Sequence, residues 1–182
     1  MNWWTKLRLY FYDKALQERL RTRRVQPRSL PFARASRIGL LFDATELDAR
    51  DAVLKYAGQL RKAGKEVRLL GFLRQQKGQP DLGFPNFGTD DLDWRYLPTK
   101  TSVVADFLEK PVDLLINLDT QHHRALEYVV ALADAPFRVG AAHDDPTHYE
   151  LMIDAPDGSL AAFWKQVEHY LQQMNTPHAG IT

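Results

Sequence analysis

Residues 37–73, RIGLLFDATELDARDAVLKYAGQLRKAGKEVRLLGFL, decide the fold. Ile38 to Phe42 is a short apolar run ending at Asp43, the pattern of a strand buried on both faces. Thr45 is placed to cap a helix whose apolar positions Leu47, Ala49, Val53, Leu54, Ala57 and Leu60 recur at helical spacing. Gly64 closes that helix, since glycine accepts a left-handed residue after the last turn without steric cost. Val67 to Leu73 is a second apolar run. Two buried strands joined by one helix through such short links form a parallel crossover, the building unit of α/β proteins.

Downstream the rhythm breaks and then returns. Residues 76–101, QKGQPDLGFPNFGTDDLDWRYLPTKT, hold three glycines, three prolines and four aspartates. Trp94 to Leu97 reads as a short strand inside this segment. Phe84, Phe87 and Trp94 favour irregular packing around buried rings over a functional lid. Helices are then expected at Ser102 to Glu109 and Gln121 to Ala133, and strands at Val112 to Leu118, Phe137 to Ala142 and Tyr149 to Ile153. A last helix starts at Ser159, a good N-cap, with the core stripe Leu160, Phe163, Trp164, Val167, Leu171 and Met174. The expected architecture is a single Rossmann-like three-layer α/β domain over residues 37–182. Its sheet is mostly parallel, with five or six strands and no internal repeat.

The chain has 182 residues, 45% hydrophobic and 26% charged, with no cysteine. That is enough for one well-buried core. The absence of cysteine excludes disulfides, thiolate metal centres and a thiol nucleophile. No stretch approaches the roughly 20 apolar residues of a membrane-spanning helix. Lys6, Arg8, Asp13 and Lys14 interrupt any apolar core of a secretory signal. The expected location is the cytoplasm, with the inner-membrane surface as a place of peripheral attachment.

Upstream of the domain the charge is uneven. Residues 1–37 carry ten basic side chains against two acidic, a net +8, whereas the other 145 residues carry 14 against 21, a net −7. Residues 3–22 read as a basic amphipathic helix with two apolar stripes. Trp3, Trp4, Leu7, Tyr10, Phe11 and Ala15 share one face, and Leu9, Tyr12, Leu16 and Leu20 share another. Residues 21–37, RTRRVQPRSLPFARASR, form an Arg/Pro/Ser-rich connector. One stripe can dock on the domain and the other then needs a neighbour. Residues 1–36 are therefore expected to bind an anionic surface, RNA or lipid, through Trp3, Trp4, Lys6, Arg8, Arg19, Arg21, Arg23, Arg24 and Arg28. The plain alternatives are a helix packed on its own domain with a solvated tail, and a homodimer whose arm covers its partner.

In a parallel sheet, ligands bind beyond the carboxyl ends of the strands. Asp43, Ala44 and Thr45 lie there, as do Asp119, Thr120, Gln121, His122 and His123, and His143, Asp144, Asp145 and His148. A dinucleotide is not expected, because the first strand-to-helix turn, Asp43-Ala44-Thr45-Glu46, lacks glycine and would repel pyrophosphate. There is no GxxxxGK[ST] loop and no GxSxG elbow; Ser29, Ser36, Ser102 and Ser159 fall in the arm or at helix starts. If the domain is an enzyme, Asp119, His122, His143 and Asp144 are the catalytic candidates. His143, Asp144, Asp145 and His148, with His122 or His123, are metal-ligand types, but Asp-Asp-Pro-Thr-His is also ordinary turn chemistry. No metal or other cofactor is therefore expected. Of the pair His122–His123, one is expected to face solvent while the other caps or packs. His169 and His178 have no evident partner.

The run PVDLLINLDTQHHRALEYVVALADAPFRVGAAHDDPTHYELMID, followed by FWKQVEHYLQQMN, resembles an uncharacterised family of short bacterial α/β proteins classed as a domain of unknown function. Its most recognisable pieces are DLLINL, Phe137 to Gly140, and ELMI at 150–153. The basic N-terminal helix, RIGLLFD and DLDW extend the resemblance over most of the chain. It implies the fold and no site residues. A weaker similarity, in a strand ending in Asp and the Arg-x-Gly of Phe137-Arg138-Val139-Gly140, points to the N-terminal half of heptosyltransferase-type glycosyltransferases. Those enzymes hold the sugar nucleotide with a second domain, for which 182 residues leave no room. The likeness thus implies architecture. The expected function is a non-catalytic α/β domain docking on an anionic assembly through its arm. The alternative is a small enzyme or ligand-binding protein with a pocket at the strand ends.

Overall fold

Strand β1, Arg37–Asp43, is buried at all five of its inner positions and lies in the middle of the sheet. The structure, a computed structural model, describes residues 2–21, 32–74, 81–99, 101–144, 148–155 and 158–173. Arg23, Arg24, Arg28, Asp145, Met174 and His178 fall outside them. β1 pairs with β2 (Glu66–Leu73) on one side and β4 (Leu114–Asn117) on the other, all in parallel. Beyond β2 lies β3, Asn86–Gly88; beyond β4 lie β5, Arg138–Ala141, and β6, Leu151–Ile153. Among the described residues the sheet therefore has six strands, every pairing parallel, in the order β3-β2-β1-β4-β5-β6. This is the order of doubly wound α/β sheets, and it reverses direction between β1 and β4.

Both faces are covered, which is why the strands are apolar on both sides. Helices α2 (Leu47–Lys62) and α5 (Leu160–Gln173) cover one face, where Val53, Ala57, Phe163, Trp164 and Val167 pack on Ile38, Leu40, Phe42 and Ile116. Trp164 stacks on Tyr56 with ring centroids 4.4 Å apart. Helices α3 (Ser102–Leu108) and α4 (Arg124–Leu132) cover the other face around Leu41, Leu70 and Leu115. The N-terminal helix α1, Trp3–Arg21, lies on α4 and buries Tyr12 and Leu16. Of the two apolar stripes, the one containing Tyr12 and Leu16 thus docks, and Ala15 of the other packs beside it.

Several expectations need correction. Thr45 does not cap α2. The N-cap is Glu46, which makes no side-chain cap, and the Thr45 hydroxyl accepts the Arg74 backbone N–H at 2.9 Å instead. Trp94 to Leu97 is a turn, with Tyr96 in the left-handed region at φ 67°, because the Asp93 carboxylate gathers the N–H groups of Arg95 and Leu97. The strand of this segment lies earlier, at β3. Helix α4 starts at Arg124 rather than Gln121, since Asp119 draws the preceding residues into a loop. Phe84 and Phe87 are buried as expected, but Trp94 is 54% exposed.

Candidate functional site at the strand ends

The crevice at the reversal, between the ends of β1 and β4, encloses about 260 Å³ and is lined by Asp43, Glu46, Arg74, Asp119, Thr120 and Gln121 among others. Its side chains are already engaged with one another. Arg74 Nε lies 2.9 Å from Asp43, and its Nη2 lies 3.3 Å from Glu46. Asp43 also accepts the Thr45 backbone N–H at 2.9 Å. Acidic side chains thus stand where pyrophosphate-binding sheets place glycine.

Asp119 leaves the sheet at the end of β4 and is 2% exposed. It accepts the backbone N–H groups of Gln121 and His123 and faces His123 Nδ1 at 3.0 Å. That hydrogen bond holds the His123 pKa above the ordinary histidine value, against the opposing effect of burial. Asp119 therefore builds the β4–α4 turn and His123 packs there, but the expectation that the other histidine faces solvent needs correction, because His122 is half-buried as well.

His122 is turned the other way. It sits in the left-handed region at φ 55°, which few non-glycine residues adopt. Its ring meets that of His143, which follows β5, with centroids 4.5 Å apart. Glu127, from the first turn of α4, completes the group. One ligand-type atom from each of His122, Glu127 and His143 lies within 4.8 Å of the others, and Glu127 Oε2 is 3.9 Å from His143 Nε2. Burial, and then the neighbouring His143, hold the His122 pKa below the ordinary value.

The carboxylate is fixed from behind. Tyr149 donates its hydroxyl hydrogen to Glu127 Oε1 at 2.7 Å, and Asn117 Nδ2 donates to the same oxygen at 3.2 Å and to the Tyr149 oxygen at 2.8 Å. Burial and the Glu127 charge push the Tyr149 pKa far up, so this phenol remains a donor. Tyr12, Asp13 and Leu16 of α1 then wall a cleft of about 210 Å³ over the cluster, together with Arg124 and His148. The Tyr12 hydroxyl anchors that wall by donating to the Arg124 carbonyl at 2.9 Å.

Of the catalytic candidates, His122 and His143 meet, Asp119 serves the turn, and Asp144 is exposed beside the cluster without joining it. Sequence reasoning missed Glu127, Asn117 and Tyr149. A signal was present in two of them, since Glu127 interrupts the apolar helix RALEYVVAL and Asn117 the apolar strand LLINL.

The residues expected to bind an anionic surface divide along α1. Trp3, Trp4 and Tyr10 are 60%, 57% and 60% exposed, and Lys6 and Arg21 are also exposed. Arg8 is drawn onto the body, where its Nε donates to the Trp94 carbonyl at 2.6 Å and its guanidinium lies over the Tyr96 ring. Arg19 donates to the Tyr128 hydroxyl. Phe11 packs edge-on against Trp94, so the irregular segment 92–98 serves as the seat for the helix.

No curated protein matches the chain, so the heptosyltransferase likeness gains nothing from comparison. Over residues 8–174 the match is to a family of unknown function, DUF6913, and the chain belongs to it.

Proposed function

We propose that the protein is an α/β domain that attaches peripherally to an anionic bilayer surface through the outer face of α1. The observation carrying this reading is the exposed aromatic group at the N-terminal half of the helix, Trp3, Trp4 and Tyr10, with Trp94 beside it. Tryptophan and tyrosine are apolar rings with one polar atom, and they partition to the boundary between headgroup and acyl chain. Lys6, Lys14 and Arg21 are exposed on the same helix, and anionic headgroups complement them. A single helix laid on the body presents a convex ridge. A plane bilayer accepts a ridge, whereas single-stranded RNA is usually held in a groove with stacked bases. No described helix is long and apolar enough to cross a membrane, so attachment would be from one side.

The test is co-sedimentation of the full chain with vesicles of phosphatidylcholine alone and of phosphatidylcholine mixed with phosphatidylglycerol. The expected result is pelleting on the anionic vesicles only, lost in the Trp3→Ser/Trp4→Ser variant and weakened at high salt. Equal behaviour of the double variant and the parent, or binding to an RNA oligonucleotide in place of vesicles, would overturn the reading.

A further inference from the structure

We propose that His122, Glu127 and His143 form a binding site for one divalent transition-metal ion, zinc foremost, with an open coordination position facing the cleft beneath α1. Two imidazoles and one carboxylate are the ligand set of zinc sites that keep a position for water or substrate, and of facial-triad iron sites. Nothing in the arm's surface chemistry depends on this site, so it stands apart from membrane attachment.

The geometry is close to what an ion requires. Ligands at roughly 2.0–2.2 Å from a tetrahedral zinc lie about 3.4 Å apart. The three donor atoms already converge within 4.8 Å, with Glu127 and His143 at 3.9 Å, so side-chain adjustments of about an ångström would close the shell. The supporting shell is also in place. Tyr149 and Asn117 both bind Glu127 Oε1, which fixes the carboxylate and presents Oε2 to His143. Metal-ligating carboxylates are oriented by such partners.

The backbone at His122 points the same way. A left-handed residue is cheapest as glycine, and a side chain there persists only where its surroundings hold it. That conformation is what carries the ring away from the Asp119–His123 pair and toward His143. The cleft over the open position carries Asp13 and Arg124 on its walls, so a small polar ligand could reach the ion under α1.

The experiment uses the full chain, stripped with a chelator and titrated with Zn²⁺ by calorimetry and with Co²⁺ by visible absorption. One equivalent should bind saturably, raise the thermal midpoint and give cobalt ligand-field bands. His143→Ala and Glu127→Gln should each weaken affinity by more than about 10-fold. His122→Gly should weaken it equally while the metal-free variant melts no lower than the parent, because glycine suits the left-handed backbone. His169→Ala, on the exposed face of α5, should bind like the parent. Absence of stoichiometric binding, or binding indifferent to all three cluster variants, would overturn the site.

Discussion

The ring of Tyr149 lies across Gly140: a Cβ added at Gly140 would run into Tyr149 Cε1 and fall 2.8 Å from Cδ1 and Cζ. The glycine of β5 therefore sets where the phenol rests, and the phenol in turn fixes Glu127. Gly140→Ala should lift the ring and break the Tyr149–Glu127–Asn117 network, at a cost of about 1–3 kcal/mol typical of overpacking. Tyr149→Phe keeps the ring and removes only the hydroxyl, leaving Glu127 and Asn117 each short of a partner, for about 1–2 kcal/mol. Urea denaturation of both variants checks this. A Gly140→Ala protein as stable as the parent would mean that the ring has room to move.

How much of this was legible in the sequence differs between backbone and site. The strand-helix alternation survives in the structure because each strand is buried on both faces, and that requirement writes itself as an uninterrupted apolar run. β1 is the clearest case. The strand ends were legible for the same reason, so His122 and His143 could be named. Their partner could not, because Glu127 lies on a helix face and meets them only when β4 and β5 become neighbours. Asp119 looked catalytic by position, yet its carboxylate is consumed by local N–H groups, a competition between side chain and backbone that residue type alone does not resolve. The long segment 76–101 reads as irregular packing. Its role as the seat of α1 depends on Arg8 and Phe11, more than 80 residues away in the chain.

The two adjacent histidines should respond to pH in opposite senses. The His123 pKa is raised in the folded state by Asp119, so its charged pair contributes stability below the unfolded histidine pKa of about 6.5 and loses that contribution as pH rises through the folded value. The His122 pKa is lowered by burial, so its contribution is present above about pH 6.5 and is lost as pH falls. His123→Gln should therefore cost most at acidic pH, with the difference from the parent narrowing toward pH 8. Denaturation of metal-free protein across that range reads both signs. A difference that widens with pH would refute the assignment of His123 as the charged partner.

Asp113 ties the start of β1 to β4. Its Oδ2 accepts the backbone N–H groups of Ser36 and Arg37 and the Ser36 hydroxyl, each at 2.9 Å, while Oδ1 meets Arg37 Nη2 at 2.7 Å. Burial works to raise the Asp113 pKa, but the Arg37 side chain and these donors outweigh it and hold the carboxyl well below the usual range. The sign is that of a depressed acid. Stability is present above the unfolded carboxylate pKa of about 3.9 and is lost as pH falls through the folded value. Asp113→Asn should cost about 1–3 kcal/mol near neutrality, less the screening due to the partly exposed Arg37, and this cost should shrink below about pH 4. Acid unfolding followed by circular dichroism distinguishes this from a variant that is uniformly destabilised.

Helix α1 should open before the sheet does. It has 19 residues but buries only Tyr12 and Leu16, whereas seven of the nine residues of α4 are buried. A helix with so few fully buried side chains belongs to the low-stability end of the molecule and can detach by local unfolding. Leu16→Ala removes one of its two buried side chains, a change that for a buried leucine costs about 2–5 kcal/mol, and shifts the equilibrium toward the detached state. Hydrogen exchange should then accelerate across residues 3–21 while the amides of β1 and β4 exchange as in the parent. Uniform acceleration would instead make α1 part of the same cooperative unit as the sheet, and the cleft over His122, Glu127 and His143 would have a fixed wall in place of a movable one.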